Sequence, residues 1–380
     1  MTDIKVLYYS FFLLFAIGFS FIINKLFLRA YYNFGSTQEQ KVGAADQVRW
    51  ANIPKPLLGG FSFYLLFLFS ISVYSILFDN SFLNKGVIGI LLSCSFGFLL
   101  GWADDGYGTN PILKFVGQFI CANILTGTGL IIPLTDIVMI DYMFTVFWII
   151  GMMNSINMLD NMDGITASSS LVITLVCFFI TLNQPEINPI YSSMLIAVAG
   201  SLIGFLFFNV SPAKMYMGDT GSMFLGVFLG GLSIDIIWSM KTNYTGSFDA
   251  GQFLMPMMIF IVPIIDTLTV FIRRIARKQS PFVGGKDHTT HHLVYFGYSD
   301  KQVMYWFILA NSIGGGLAYL IYINFDSIGL WLSLSILGLF LLIFFGTQRY
   351  YDIGKLKDNI KEQRKTIHIE NAERLKKEQA

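Results

Sequence analysis

The sequence predicts an all-α polytopic membrane protein. Apolar stretches close to the length of a membrane-spanning helix recur along the whole 380-residue chain. In addition, 54% of the residues are hydrophobic and only 13% are charged, whereas a soluble domain carries roughly 25% charged residues. The composition excludes an ordinary water-soluble domain. We therefore expect the lipid bilayer as a partner, and no nucleic acid.

We predict about eleven transmembrane helices within a membrane domain that covers residues 1–347. In chain order they cover 6–28, 60–78, 86–102, 115–133, 138–153, 167–182, 190–209, 222–240, 252–271, 303–323 and 327–347. The first apolar run is too long for the core of a signal peptide and lacks a clear small-residue cleavage site, so we interpret it as a retained span. Residues 348–380 are predicted to form a charged, solvated helical tail in the cytoplasm.

Lysine and arginine residues predict the orientation of the chain. With eleven spans and a cytoplasmic tail, the N-terminus lies outside. The cytoplasmic loops and the tail then hold 21 of the 25 Lys and Arg residues, and the opposite side holds Lys5, Lys85 and Lys241. Because positive residues favour the cytoplasmic side of a membrane, this distribution supports both the span count and the orientation.

The polar motifs of the sequence gather in the loops predicted to face the cytoplasm. They are ADDGYGTN at 103–110, NSINMLDNMDGIT at 154–166, NVSPAKMYMGDTGS at 209–222, RRIARK at 273–278 and GGKDHTTHHL at 284–293. The loops on the opposite side are short and carry no comparable motif. This one-sided distribution is the main indication of function.

Aspartates in these loops predict a cation site. They are Asp104, Asp105, Asp160, Asp163 and Asp219. Neighbouring carboxylates repel each other without a cation, and hard oxygen ligands suit Mg²⁺, which often binds one or two carboxylates together with substrate phosphates. The same loops carry basic residues that suit phosphate groups, namely Lys114, Arg273, Arg274, Arg277 and Lys278. Acids, a hard metal and basic residues together predict phosphoryl transfer between a soluble donor and a lipid acceptor.

Other interpretations remain open at this point. Taken singly, each motif could be a polar loop, a helix cap or an orientation signal. A transporter is the main alternative function, because transporters place ionisable residues near the bilayer midplane, and Asp235 and Asp266 lie inside predicted spans. A CDP-alcohol phosphotransferase would need an arginine that DGITAS at 163–168 lacks. A purely structural membrane protein explains the spans but not the one-sided motifs.

Several ordered motifs resemble those of the polyprenyl-phosphate N-acetylhexosamine-1-phosphate transferase family, which is glycosyl transferase family 4. The resemblance begins with PKPLLGG at 54–60 and continues with ADDGYGTNPILKFVGQ at 103–118. NSINMLDNMDGI, PAKMYMGDTGS and PIIDTLTVFIRR follow in the family's order. Asn161 stands where the family usually has glycine. The final family motif is often H-x-H-H-R-L, whereas HTTHHL places Thr290 at its second histidine and His292 at its arginine.

The resemblance implies roles for individual residues. Catalytic roles are implied for Asp104, Asp105, Asp219, His288 and His291. Among them, Asp219 and Asp105 would bind Mg²⁺, with Mn²⁺ as an alternative, and Asp104 or Asp105 would deprotonate or position the lipid phosphate. Substrate binding is implied for Lys114, Asn154, Asn157, Asp160, Asp163, Asn209, Arg273, Arg274 and His292.

The resemblance also implies the reaction and its setting. Undecaprenyl phosphate would attack the β-phosphate of a UDP-N-acetyl sugar in the cytoplasmic (inner) membrane of a bacterium, UMP would leave, and the product would initiate a cell-envelope polysaccharide such as teichoic acid or O-antigen. The short spacing of nine positions between Asp105 and Lys114, and the lack of a histidine triplet, favour UDP-GlcNAc as donor. Phospho-MurNAc-pentapeptide transfer is the alternative within the family. Other UDP-HexNAc donors and a homodimer remain open.

Overall fold

The computed structural model describes residues 2–34, 55–78, 83–135, 137–184, 186–240, 250–280, 285, 287–325 and 330–378. Within these residues the chain is predominantly α-helical, and a single β-bridge joins Leu57 and Tyr216. The all-α polytopic fold that the sequence predicts is confirmed. Most of the predicted loop 29–59, Pro54 of the PKPLLGG motif, and Lys241 lie outside the described residues.

Thirteen helices follow one another along the described chain. They are α1 (Thr2–Phe34), α2 (Gly59–Phe78), α3 (Lys85–Tyr107), α4 (Pro111–Gly127), α5 (Val138–Leu159), α6 (Ile165–Leu182), α7 (Ile190–Asn209), α8 (Gly218–Ser233, continued by a π-helical turn, Ile234–Trp238), α9 (Ala250–Ile259), α10 (Ile261–Ala276), α11 (Thr289–Phe296), α12 (Asp300–Ile323) and α13 (Leu330–Glu378). Nine of the described helices are long and apolar enough to cross a membrane, and the bent pair α9–α10 adds a tenth.

The predicted span 115–133 corresponds to α4, which has only 17 residues. Asn110 caps its start, because the Asn110 side chain accepts hydrogen bonds from the N–H groups of Ile112 and Leu113. The apolar run continues to Pro133, but the helix ends at Gly127 and Gly129 takes a positive φ of 95°. A 17-residue helix is about 25 Å long, which is shorter than the hydrocarbon core of a typical bilayer.

The predicted span 252–271 is not one continuous helix, because the chain bends by 84° between α9 and α10. Pro256 lies inside α9 and Pro263 lies in the first turn of α10. Proline lacks the N–H that a continuous helix requires, and its ring clashes with the carbonyl four residues earlier. The bend falls at Phe260, between these two prolines, and α10 therefore leaves the direction of α9.

The predicted boundary between the membrane domain and the tail does not coincide with a break in the helix. α13 runs for 49 residues and crosses position 347 without interruption. Beyond that position Tyr351 is buried, with 1% of its surface exposed. The first turns of the predicted tail are therefore packed against the rest of the described protein.

Helix α8 lies at the centre of the bundle, where it contacts α2, α3, α5 and α6. Its side chains are almost entirely buried. Gly101 permits the end of α3 to approach it closely, because a Cβ atom at this position would lie 2.1 Å from the carbonyl oxygen of Asp219. This approach brings the aspartate pair at the end of α3 to the beginning of α8.

Candidate active site

Asp105 fixes the beginning of α8. Its Oδ1 accepts a hydrogen bond from the N–H of Asp219 (2.9 Å), and its Oδ2 accepts bonds from the N–H (2.9 Å) and the hydroxyl (2.6 Å) of Thr220. The first N–H groups of a helix have no partner within the helix, and a negative charge there interacts favourably with the helix dipole. Both Asp105 oxygens are therefore engaged by the first turn of α8.

Lys114 lies between two carboxylates. Its Nζ is 2.6 Å from Asp104 Oδ2 and donates a hydrogen bond to Asp219 Oδ2 at 2.7 Å. Asp104 is buried, and its Oδ1 accepts bonds from the N–H and the hydroxyl of Thr109. About a fifth of the Asp219 side chain is exposed (20%). The ammonium group thus offsets the repulsion between two carboxylates, one buried and one open to solvent.

Two asparagines of α5 have different partners. Asn157 donates through Nδ2 to Asp219 Oδ1 at 3.0 Å and to the hydroxyl of Ser222 at 2.9 Å. Asn154 instead exchanges two amide hydrogen bonds with Gln118 of α4, at 2.8 and 3.1 Å. Asn157 therefore belongs to the surroundings of Asp219, whereas Asn154 joins two helices.

The loop between α5 and α6 is tied to the chain before α8. Asp163 Oδ2 accepts a hydrogen bond from the N–H of Ala213 at 2.8 Å and lies 3.8 Å from Lys55 Nζ. Buried Asn209 accepts a bond from the N–H of Gly164 at 3.1 Å and donates to the carbonyl of Met215 at 3.0 Å. These bonds hold the two loops together and place Asp160 near Asp219.

Asp160 carries the largest described pKa shift of a carboxyl outside the spans. Burial raises its pKa from 3.8 to about 8, and the charges of Asp219 and Asp105 act in the same direction. The residues Asp104, Asp105, Asp160, Asp219 and Lys114 form one group, which we name the acidic cluster.

The histidine motif is held by an aspartate inside α10. His288 Nδ1 lies 2.9 Å from Asp266 Oδ2, and Asp266 Oδ1 accepts a hydrogen bond from the N–H of Thr289 at 2.9 Å. The rings of His288 and His291 are 5.6 Å apart. Burial lowers the pKa of His291 to about 3, helped by the nearby His288, so this imidazole is neutral at physiological pH. We name His288, His291 and Asp266 the histidine cluster.

Three residues that are predicted to bind substrate contact other protein groups instead. Arg273 donates to Gln348 and lies 2.6 Å from Asp352 Oδ1, both on α13. Arg274 pairs with Asp287 through two nitrogen–oxygen contacts of 2.5 and 2.9 Å. His292 packs its ring 3.6 Å from the ring of Tyr351, and burial lowers its pKa to about 4.

Residues at two positions where the sequence departs from the family motifs contact each other. The hydroxyl of Thr290 donates to Asn161 Oδ1 at 2.7 Å, and Asn161 Nδ2 donates to the carbonyl of Met158 at 2.9 Å. This bond joins α11 to the loop that carries Asp160. The acidic cluster and the histidine cluster are therefore neighbours at one end of the helix bundle.

The donor chemistry of the acidic cluster suits a hard divalent cation. Asp104 and Asp219 supply carboxylate oxygens, and Lys114 already places a positive charge between them. Among the residues that the structure describes, no three His, Cys, Asp or Glu side chains form a preassembled metal site. Mg²⁺ commonly needs only one or two carboxylates when phosphates complete its coordination, so the residues present fit a metal that binds together with its substrate.

Sequence reasoning missed some of the residues that support the site. The predicted site residues do not include Gln118, Thr220 or Tyr351, because these residues act through other side chains. Each supports another side chain, namely Asn154, Asp105 and His292. The position of Gln118 one turn after Lys114 was a usable signal, whereas Tyr351 lies in a segment predicted to be solvated.

Comparisons with known proteins identify the same family as the sequence motifs. A sequence model of the family described as glycosyl transferase family 4 matches residues 87–237. The chain is 30% identical over 317 residues to the probable undecaprenyl-phosphate N-acetylglucosaminyl 1-phosphate transferase of Bacillus subtilis, which covers 80% of this chain and 83% of that protein. It is 29% identical over 296 residues to the decaprenyl-phosphate N-acetylglucosaminephosphotransferase of Mycobacterium leprae (71% and 74%). It is 26% identical over 330 residues to the phospho-N-acetylmuramoyl-pentapeptide-transferase of Lactobacillus gasseri (80% and 96%).

The fold and the site define a polytopic α-helical membrane protein with a polar centre where several helix ends meet. The matched region 87–237 runs from α3 through the π-helical turn after α8 and so contains the whole acidic cluster. The chain belongs to glycosyl transferase family 4, as the resemblance of its motifs predicts.

Proposed function

We propose that the protein transfers a HexNAc-1-phosphate group from a UDP-sugar to undecaprenyl phosphate. The observation that carries this proposal is the position of Asp219, which lies partly exposed at the start of α8 and contacts Lys114 and Asn157. The names of the relatives in Bacillus subtilis and Mycobacterium leprae supply the acceptor class and the sugar class.

The proposed reaction exchanges one phosphoanhydride bond for another. An oxygen of the lipid phosphate attacks the phosphorus that bears the sugar. The bond from this phosphorus to the bridging oxygen of the UDP breaks, and UMP leaves with that oxygen. A lipid-diphosphate-linked sugar remains in the membrane. A phosphate monoester is largely ionised near neutral pH, so positioning and charge neutralisation can suffice without a strong general base.

Asp219 is the residue we assign to the metal. Mg²⁺, or Mn²⁺ in its place, would neutralise the developing charge on the pyrophosphate oxygens. The second predicted ligand, Asp105, would first have to give up its three hydrogen bonds to the start of α8. We therefore assign Asp105 to positioning Asp219. Lys114, between Asp104 and Asp219, is suited to contact the lipid phosphate when that phosphate enters.

The donor is proposed to lie between the two clusters. Asn157 and Asp160 face it from the end of α5, with Asp163, Asn154 and Asn209 holding the surrounding helices and loops. His288, oriented by Asp266, and neutral His291 would donate hydrogen bonds to its phosphates. The contacts of Arg273, Arg274 and His292 with other protein groups assign them a supporting role.

We assign UDP-GlcNAc as the donor and the cytoplasmic face of a bacterial membrane as the location of the site. The short Asp105–Lys114 spacing and the names of two relatives support the sugar. The concentration of Lys and Arg in the loops that carry the motifs supports the location. Phospho-MurNAc-pentapeptide transfer is the second candidate, because the Lactobacillus gasseri relative bears that name and is matched over 96% of its length.

The proposal is tested by UMP release from purified protein supplied with undecaprenyl phosphate, Mg²⁺ and one UDP-sugar at a time. The donors are UDP-GlcNAc, UDP-GalNAc and UDP-MurNAc-pentapeptide, and matched reactions omit the lipid or the metal. We expect release with UDP-GlcNAc that requires both additions. Release with the pentapeptide donor alone would favour the second candidate, and no release with any donor from folded protein would favour a transporter.

A further inference from the structure

Segment 348–357 of α13 packs against α10 and α11. Gln348 Nε2 donates to the hydroxyl of Thr269 at 2.7 Å, and its Oε1 accepts a bond from Arg273 Nε at 2.9 Å. Arg273 also pairs with Asp352 at 2.6 Å. The basic end of α10 is thereby attached to α13.

Tyr351 occupies the centre of this contact. Its ring lies 3.6 Å from the ring of His292, and the guanidinium groups of Arg273 and Arg277 lie 4.8 and 5.4 Å from the ring centre. Arg277 also donates a hydrogen bond to the Tyr351 hydroxyl. One buried aromatic ring thus contacts both the end of α10 and the histidine-bearing helix.

The backbones of α13 and α11 touch at Gly354. A Cβ atom at this position would lie 2.5 Å from the carbonyl oxygen of His292, a distance at which the backbone must move. One turn further on, Lys357 Nζ donates to the carbonyl of Phe296 at 2.9 Å, at the last residue of α11. A cation at this place satisfies a helix-terminal carbonyl and suits the helix dipole.

These contacts are significant because α11 has only eight residues. A helix of this length is not stable by itself in water, so its position depends on packing. α13 covers the ring and the backbone carbonyl of His292 and the carbonyl of Phe296 at the end of α11. At the other end of α11, Asp266 accepts the hydrogen bond of the Thr289 N–H.

We propose that Tyr351 and Gly354 of α13 are positioning residues that hold α11, and with it His288 and His291, against the donor phosphates. This inference rests on the proposed function for the identity of the donor. The first residues of the segment predicted as a solvated tail therefore help to orient the histidine cluster.

The test compares Gly354→Ala with Gly346→Ala. Both glycines lie within α13, and alanine favours a helix at both positions, but a Cβ at Gly346 meets nothing within 4 Å. We expect Gly354→Ala to raise the donor KM roughly tenfold to a hundredfold, since small misplacements have effects of this size. The lipid KM is expected to stay within about twofold, because the acidic cluster is untouched. Gly346→Ala is expected to match the wild type in both constants.

A second measurement is independent of activity. Amide hydrogen exchange of α11, followed by mass spectrometry, is expected to accelerate in Gly354→Ala and to stay unchanged in Gly346→Ala. Two substitutions at Tyr351 extend this exchange measurement. Tyr351→Phe keeps the ring contact with His292 and is expected to behave like the wild type. Tyr351→Ala removes the ring and is expected to behave like Gly354→Ala.

Unchanged exchange in Gly354→Ala and Tyr351→Ala would overturn the proposal. Faster exchange with an unchanged donor KM would show that α13 holds α11 without serving the reaction, which also overturns it. If the wild-type protein transfers nothing from any UDP-sugar, the proposed function has failed, and the exchange of α11 alone then decides whether α13 positions this helix.

Discussion

The acidic cluster and the basic end of α10 were both predicted from charged motifs, yet their charges have different partners in the structure. In the acidic cluster, Asp104 of α3 and Asp219 of α8 converge on Lys114 of α4. At the basic end of α10, Arg273 forms an ion pair with Asp352 of α13, and Arg274 forms one with Asp287. Charges of one sign that converge without enough opposite charge leave capacity for a ligand, whereas charges that find protein partners contribute mainly to structure.

Apart from the loss of Asp219 itself, the largest effect is expected at Lys114. Lys114→Met removes the ammonium group between Asp104 and Asp219 and keeps a side chain of similar length. We expect kcat for UMP release to fall by about 10²- to 10³-fold, the range found when a preorganised electrostatic partner is removed. Lys301→Met, at an exposed position of α12, is the control and is expected to have no effect. Activity within tenfold of the wild type in Lys114→Met would contradict the account of this cluster.

Asp105→Asn separates a helix-positioning role from a metal role. Asparagine keeps one oxygen acceptor but would direct its NH₂ group at the N–H of either Asp219 or Thr220, because these two groups bind different oxygens of Asp105. We expect the free energy of unfolding to fall by about 1–3 kcal/mol, because a buried donor loses its acceptor. Activity is expected to fall as well, while the Mg²⁺ concentration for half-maximal activity stays unchanged. An increase in that concentration with unaltered thermal stability would instead identify Asp105 as a metal ligand.

The raised pKa of Asp160 predicts that the stability of the metal-free protein depends on pH. Because burial raises its pKa from 3.8 to about 8, the folded protein keeps a proton that the unfolded chain has lost between these pH values. The stability associated with this proton is complete below about pH 4 and is lost as the pH rises to about 8, at no more than about 1.4 kcal/mol per pH unit. Thermal unfolding in detergent at pH 5 and 8.5 should show a smaller decline for Asp160→Asn than for the wild type. Equal declines would count against a raised pKa.

The smallest effect is expected at Arg273. Arg273→Gln removes the ion pair with Asp352, which is worth about 1 kcal/mol or less at a partly exposed position. We expect kcat within about threefold of the wild type and a donor KM raised by less than about fivefold, because Gln348 and Tyr351 still attach α13 to its neighbours. A loss as large as that of Lys114→Met would mean that Arg273 binds a substrate phosphate and that the two regions do not differ.

The sequence predicted the fold class and the aspartates that meet at the start of α8, because apolar length and one-sided polar motifs are local signals. It did not predict the bend between α9 and α10, since a hydropathy profile does not register Pro256 and Pro263. The bond between Thr290 and Asn161, which are 129 positions apart, also required the structure. The same holds for Tyr351, whose polar surroundings in the sequence resemble those of a solvated helix.

The most direct test of the central claim is a comparison of Asp219→Ala with Asp235→Asn in the UMP-release assay. Both aspartates lie in the same continuous helix, roughly 24 Å apart along its axis, and Asp235 accepts a hydrogen bond from Tyr191 that asparagine can preserve. The account predicts that Asp219→Ala abolishes lipid- and Mg²⁺-dependent UMP release while Asp235→Asn keeps it. Substantial release from folded Asp219→Ala protein would contradict the assignment of the acidic cluster as the centre of transfer.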